Sequence, residues 1–352
     1  MRKFYTVSSA AFFLAVLSGG AMAAKPHIEI VATGGTIAGA QPKPGELGYK
    51  SGEFDIQRLI DAVPQIKNLA NVTGEQLVSI GSQDMNDEIW LKLAKRVNEL
   101  ARRPDVDAVV ITHGTDTMEE TGYFLSLVIK TQKPIVMVGS MRPATSISAD
   151  GPMNLYEGVA AAASSEASGR GVLVVLNDQI HFAREVEKRN TTSLNTFESP
   201  NRGPAGHVGG SAVTFFAKPV TTFGQGSAFS IDDITALPKV EIVYAYANMG
   251  RDFIDLAVRN GAKGIVVAGV GDGNMTNVAI DGLQDAVKAG VAVVRSSRTG
   301  SGAVIRNVEL DDDKLHFIAS GDLNPQKARV LLMLSLTKTQ DTGELQNYFN
   351  GY

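Results

Sequence analysis

Five short apolar runs punctuate the first half of the chain: residues near His27 to Ala32, Gln76 to Ile80, Ala108 to Ile111, Ile135 to Val138 and Val172 to Leu176. Each is rich in β-branched residues and too short for a helix. Between them lie segments of 3.6-residue periodicity, of which the one after Asn86 is the clearest. It sets Trp90, Leu93, Ala94, Val97 and Leu100 on one stripe, which assigns Trp90 to the core. Alternation of buried strands with amphipathic helices predicts an α/β fold whose N-terminal part is a parallel sheet flanked by helices. From Lys218 to Leu237 the regular pattern fades into Thr, Gly and Ser, which reads as a linker over 218–238. A second, smaller α/β unit then runs through Val240 to Ala245, Gly264 to Val270 and Val291 to Arg295, and closes in a helix over Pro325 to Lys338. The expected boundaries are 24–217 for the first domain and 239–352 for the second.

The N-terminus changes the picture. Basic Arg2 and Lys3, an apolar run from Ala10 to Leu17 and Ala21-Met22-Ala23 read as a secretory signal over residues 1–23, cleaved after Ala23. The run is too short to span a bilayer, so a soluble periplasmic product without a membrane partner is expected. The whole chain has 33 basic and 37 acidic side chains, and loss of Arg2 and Lys3 leaves it more acidic still. No basic tract suits nucleic acid. Cysteine is absent, so a packed core must stabilise the fold in an oxidising compartment.

The candidate chemistry lies at strand ends. Thr33-Gly34-Gly35-Thr36-Ile37-Ala38-Gly39 delivers one hydroxyl from a buried strand into a glycine-lined turn, where a ligand can approach the main chain closely. His113-Gly114-Thr115-Asp116-Thr117 repeats the device after another strand, and Gly81-Ser82-Gln83-Asp84 supplies a third polar turn. In a parallel sheet all three converge on one edge, where ligands of open α/β sheets bind. Thr117 with Glu120 fits a capping box opening the next helix. A threonine hydroxyl needs a base or a strong local field to act as a nucleophile. Tyr49 is one candidate, in the Gly- and Pro-rich segment Ala40 to Gly52, whose composition suits a lid. A Gly-x-Ser-x-Gly elbow is missing, and neither Gly34-Gly35 nor Gly269-Val270-Gly271-Asp272-Gly273-Asn274 has dinucleotide spacing. The five histidines are scattered, without metal-ligand spacing, so neither metal nor cofactor is expected, and His113 reads as a structural hydrogen bonder.

The two threonine motifs resemble the signatures of bacterial L-asparaginases. Gly139-Ser140-Met141-Arg142-Pro143, Ser148-Ala149-Asp150-Gly151 and Leu323-Asn324-Pro325-Gln326-Lys327-Ala328-Arg329 extend the likeness from about His27 to Tyr352. With the signal segment, the resemblance is to the type II, periplasmic branch, some members of which carry a disulfide that this chain lacks. It implies hydrolysis of L-asparagine through an acyl-enzyme, with L-glutamine a weaker substrate. Thr36 would attack the side-chain amide, Tyr49 would assist proton transfer, the N–H of Thr115 would help hold the oxyanion, and Lys188 would complete a relay with Thr115 and Asp116. Ser82 would bind the α-carboxylate, while Asp116, Gln83 and Glu309 would surround the α-ammonium and Asn248 would stand behind them. Glu309 matches a carboxylate donated by a neighbouring subunit, which implies a homotetramer with shared sites. The alternative from another class is a periplasmic amino-acid binding protein, which needs no threonine nucleophile; ammonia release from asparagine separates the two.

Overall fold

The computed structural model describes residues 1, 24–43, 46 and 48–352. The signal segment expected over residues 1–23 therefore falls, Met1 apart, outside the described residues.

The first domain is built on an eight-stranded sheet. Its parallel part comprises β1 (His27–Gly34), β2 (Asn71–Ile80), β3 (Ala108–Thr112), β4 (Ile135–Val138) and β5 (Val172–Leu176). β6 (Gln179–Phe182) then turns back antiparallel. A small ladder of β7 (Glu187–Lys188) and β8 (Phe197–Glu198) stands apart, and β9 (Gly206–Gly209) and β10 (Ala212–Phe215) extend the large sheet. The strand order is β10-β9-β6-β5-β4-β3-β1-β2. Because β1 connects to β2 on one side while β3 lies on its other side, the order reverses between β1 and β3. That reversal is the switch point at which such sheets open a crevice.

Successive residues of each strand face opposite layers. Val109 and Ile111 of β3 pack toward α2 (Asp87–Arg102) and α3 (Met118–Val128); Ala108 and Val110 pack toward α1 (Ile56–Asp61) and α4 (Gly151–Ala163). With both faces covered, the strands read as unbroken apolar runs. Trp90 is a core residue as expected, stacked on Phe124 at 5.2 Å with its indole N–H on the Thr121 hydroxyl. Asn86 caps α2 through the N–H of Ile89.

The second domain has four parallel strands in sequence order: β11 (Val240–Tyr244), β12 (Gly264–Gly269), β13 (Ala292–Ser297) and β14 (Phe317–Ala319). One face packs on α5 (Asp252–Arg259) and α6 (Asn277–Lys288), and α7 (Asp312–Leu315) precedes β14. The other face meets α8 (Pro325–Ser335) and joins the core that also holds α2, α3 and α9 (Thr342–Gly351). The stretch expected to be a plain linker contributes to that core: Phe229, Ile231 and Ile234 are buried, and the Phe229 ring lies 5.1 Å from that of Tyr348.

Candidate active site

Three strand-end turns interlock at the switch point. Thr33 at the end of β1 donates its hydroxyl to the Thr112 carbonyl of β3, fixing the two strand ends side by side. The next turn needs glycine twice over. Gly35 sits at φ 82°, and a Cβ placed there would lie 2.4 Å from the nitrogen of Gly114. A Cβ on Gly114 would in turn lie 2.6 Å from the Ser82 hydroxyl. Backbone therefore meets backbone across the crevice, and the turns carrying Thr36, Ser82 and Thr115 are held in one geometry.

Within that frame the hydroxyl of Thr36 is 2.8 Å from that of Tyr49. Thr36 is buried, while Tyr49 is 43% exposed and covers it from the solvent side. Paired hydrogen bonds between Ala40 and Lys50 close the base of the intervening segment, and the Tyr49 ring rests against Gly39. The Thr115 hydroxyl is buried on the opposite turn and accepts from the Lys188 ammonium at 2.9 Å, which also pairs with Asp116 at 2.6 Å. Lys188 is mostly buried, not the solvated surface charge that its Glu-Lys-Arg surroundings would suggest. Ser82 joins the group by accepting from the N–H of Asp116 at 3.1 Å. The N–H of Thr115 donates to no protein acceptor among the described residues. A cleft of about 440 Å³ opens beside Asp116 and Lys188.

The capping box expected at the start of α3 does not form. Thr117 occupies the N-cap, but its hydroxyl donates to the Ser82 carbonyl at 2.8 Å and caps no helical N–H. The hydroxyl is turned toward the Ser82 carbonyl and ties two site turns together. His113 is fully buried under the same turn with Nδ1 2.7 Å from the Gly114 carbonyl, and burial brings its pKa down to about 4. A neutral ring fixed to its own turn suits a structural role.

Gln83 lies beside Asp84 on the exposed side of its turn. Asn248 and Glu309 make no hydrogen bond to the Thr36, Ser82, Thr115 or Lys188 side chains. Asn248 occupies the turn after β11 at φ 63°. Glu309 lies in the second domain, where its carboxylate accepts from the Asn274 amide at 2.9 Å. Asn274 was not singled out as a site residue from the sequence. The signal that could have found it was the Gly-rich turn Gly271-Asp272-Gly273-Asn274 at the carboxyl end of β12, the same kind of strand-end turn that presents Thr36 and Thr115. Below this pair, Arg295 and Asp312 form a fully buried fork, in which Arg295 also donates to the Asp272 carbonyl and Asp312 accepts from the N–H of Asn307.

Glycine-framed hydroxyls at a topological switch point, one beside a tyrosine and the other beside a lysine-carboxylate pair, make this crevice of the α/β fold a candidate hydrolase site. Its relatives agree. The asparaginase N-terminal domain family matches residues 27–221, and the glutaminase/asparaginase C-terminal domain family matches residues 239–349. The chain is 51% identical to a protein of Haemophilus influenzae called probable L-asparaginase periplasmic, over 93% of each. It is 49% identical to L-asparaginase 2 of Escherichia coli over 99% of this chain and all of that one. The crystal structure of a protein called probable cytoplasmic L-asparaginase, from Campylobacter jejuni, superposes with a TM-score of 0.90 at 48% identity, covering 93% of this chain and all of the other. The chain belongs to the asparaginase/glutaminase family. These likenesses give the amino-acid binding protein alternative no support.

Proposed function

We propose that the protein hydrolyses the side-chain amide of free L-asparagine to L-aspartate and ammonia through an ester on Thr36, with L-glutamine a weaker substrate. The observation that carries this reading is the 2.8 Å contact between the Thr36 and Tyr49 hydroxyls in the crevice that also holds the Lys188-Thr115-Asp116 relay. Thr36 Oγ1 attacks the amide carbon, its proton passes by way of Tyr49 to the leaving nitrogen, and ammonia departs. Water then attacks the ester and releases aspartate, with Lys188 polarising the Thr115 hydroxyl. The free N–H of Thr115 suits the oxyanion, for which one such donor is worth about 3 to 4 kcal/mol. General acid–base help adds roughly 10² to 10⁴ in rate. Ser82 and nearby turn N–H groups bind the α-carboxylate, with Asp116 and Gln83 on the ammonium side. The test is side-by-side ammonia release from asparagine and glutamine by wild type and Thr36→Ala; equal activity of the two proteins would refute the assignment.

The same reading makes the enzyme a homotetramer in which Glu309, and the Asn274 that holds it, complete a neighbour's site, with Asn248 behind them. Two apolar surfaces support this. Ile242, Tyr244, Tyr246, Phe253 and Leu256 line an exposed groove of about 550 Å³ on the edge strand β11, and Ile305 and Val308, in the segment that carries Glu309, are exposed. Such surfaces on a soluble chain mark contacts with another protein. We place the domain division at residues 218–238 and the mature protein in the periplasm after removal of residues 1–23. The Haemophilus relative is called periplasmic, in agreement with that location, whereas the Campylobacter protein is called cytoplasmic. Amino-terminal sequencing of protein from a cell fractionation decides it.

A further inference from the structure

Lys188 lies on a two-residue strand, which by itself fixes a side chain poorly, and the segment Asn324-Pro325-Gln326-Lys327 is far from Thr36 in the sequence. The structure joins them through Glu119. This carboxylate, on the first turn of α3, is 4% exposed and receives donors from three separate residues. The backbone N–H of Lys188 donates to Oε2 at 2.7 Å, and the side-chain amides of Asn324 and Gln326 donate to Oε1 at 3.2 and 2.5 Å. Asn324 is itself held as the N-cap of α8, accepting from the N–H of Lys327. The buried Lys327 ammonium completes the grip by donating to the carbonyls of Arg184 and Val186, just ahead of Lys188.

We propose that Glu119, together with Asn324 and Gln326 at the start of α8, is a positioning group that holds Lys188 against Thr115, so that the second domain sets the geometry of the relay in the first. This rests on Lys188 activating the reaction, as read above. Three donors occupy three of the roughly four lone-pair positions of this buried carboxylate, and among the described residues the Lys188 N–H has no other acceptor. Replacing one carboxylate oxygen by an amide nitrogen sets donor against donor, either at the Lys188 N–H or at the two amides of α8. The strand must then shift, and the ammonium moves with it. A misplacement of about 1 Å costs up to roughly 100-fold in rate when geometry is what the site supplies.

The experiment measures kcat and KM for asparagine in the full-length mature protein carrying Glu119→Gln, Gln326→Ala, Lys188→Met, or Gln326→Ala combined with Lys188→Met. Folding is checked by circular dichroism. Glu119→Gln is expected to lower kcat roughly 10- to 100-fold with KM little changed, and Gln326→Ala to lower it less. Because Gln326 acts only through Lys188, adding Gln326→Ala to Lys188→Met should cost nothing further in the residual turnover. A purely structural role would instead give the same factor in both backgrounds, and that result overturns the proposal, as does unchanged kcat in the single variants. If Lys188→Met itself keeps normal turnover, the reading of Lys188 is wrong and the proposal falls with it. Should Glu119→Gln fail to fold, partly exposed Gln326 carries the test alone.

Discussion

Removal of the Tyr49 hydroxyl by substitution with Phe isolates one step of the mechanism. The ring remains, and with it the packing against Gly39 and the cover over Thr36. What disappears is the 2.8 Å hydrogen bond to the nucleophile. In the resting site a hydrogen bond between two hydroxyls is worth little net, about 1 kcal/mol. As Thr36 loses its proton and charge develops, the same contact gains the strength of a hydrogen bond to a charged group, about 1.5 to 3 kcal/mol. The loss therefore falls mainly on the transition state, by the difference of about 0.5 to 2 kcal/mol, and kcat should drop about 2- to 30-fold. Since nothing on Tyr49 that binds ground-state substrate is removed, KM should stay within a few-fold and kcat/KM should fall with kcat. Steady-state ammonia release over a range of asparagine concentrations provides both constants. A raised KM with unchanged kcat would make Tyr49 a binding wall and turn attention to Lys188 as the group that activates Thr36.

Thr36→Ala and Thr115→Val should each lower turnover by orders of magnitude with a native circular dichroism spectrum, because each hydroxyl sits at a strand-end turn where little packing depends on it. Gly35→Ala should abolish activity and lower Tm, since the new methyl would lie 2.4 Å from the Gly114 nitrogen at a φ of 82°. Light scattering should report an oligomer, and a fully active monomer would exclude site completion by a partner's Glu309. Burial and the neighbouring Asp178 carboxylate raise Glu157 on α4 from 4.5 to about 8. The folded chain thus binds this proton more tightly than the unfolded one, so its contribution to stability is full below pH 4.5 and is lost as pH rises through about 8. Tm of Glu157→Gln should accordingly decline less than that of wild type across this interval; parallel curves would show that Glu157 does not titrate there.

The parts of the fold that were legible in the sequence are those where one physical demand dominates. Ile135–Val138 and Val172–Leu176 are buried on both faces, so their apolar runs mark the strands directly. β2 begins at Asn71, earlier than the apolar run near Gln76 suggests, because it is an edge strand with half its residues facing water and Gly74 making room for Ile56 and Ile60. The antiparallel additions β6, β9 and β10 are only four residues each and leave no periodic trace. In the site, the Gly-Thr turns announced themselves through residue type and position at strand ends. Glu119 did not, since a glutamate in a first helical turn looks like a response to the helix dipole until three donors are seen around it. The same limit hid the pairing of Asn274 with Glu309, which depends on two loops brought together by a buried arginine and aspartate.

Everything in the proposed mechanism turns on Thr36 carrying the acyl group. Rapid quenching of the mature enzyme during turnover of asparagine, followed by digestion and mass spectrometry, reads that group directly. An aspartyl ester should be found on the peptide containing Thr36 and be absent from the Thr36→Ala enzyme. An ester found instead on the peptide containing Thr115 would overturn the assignment of the nucleophile.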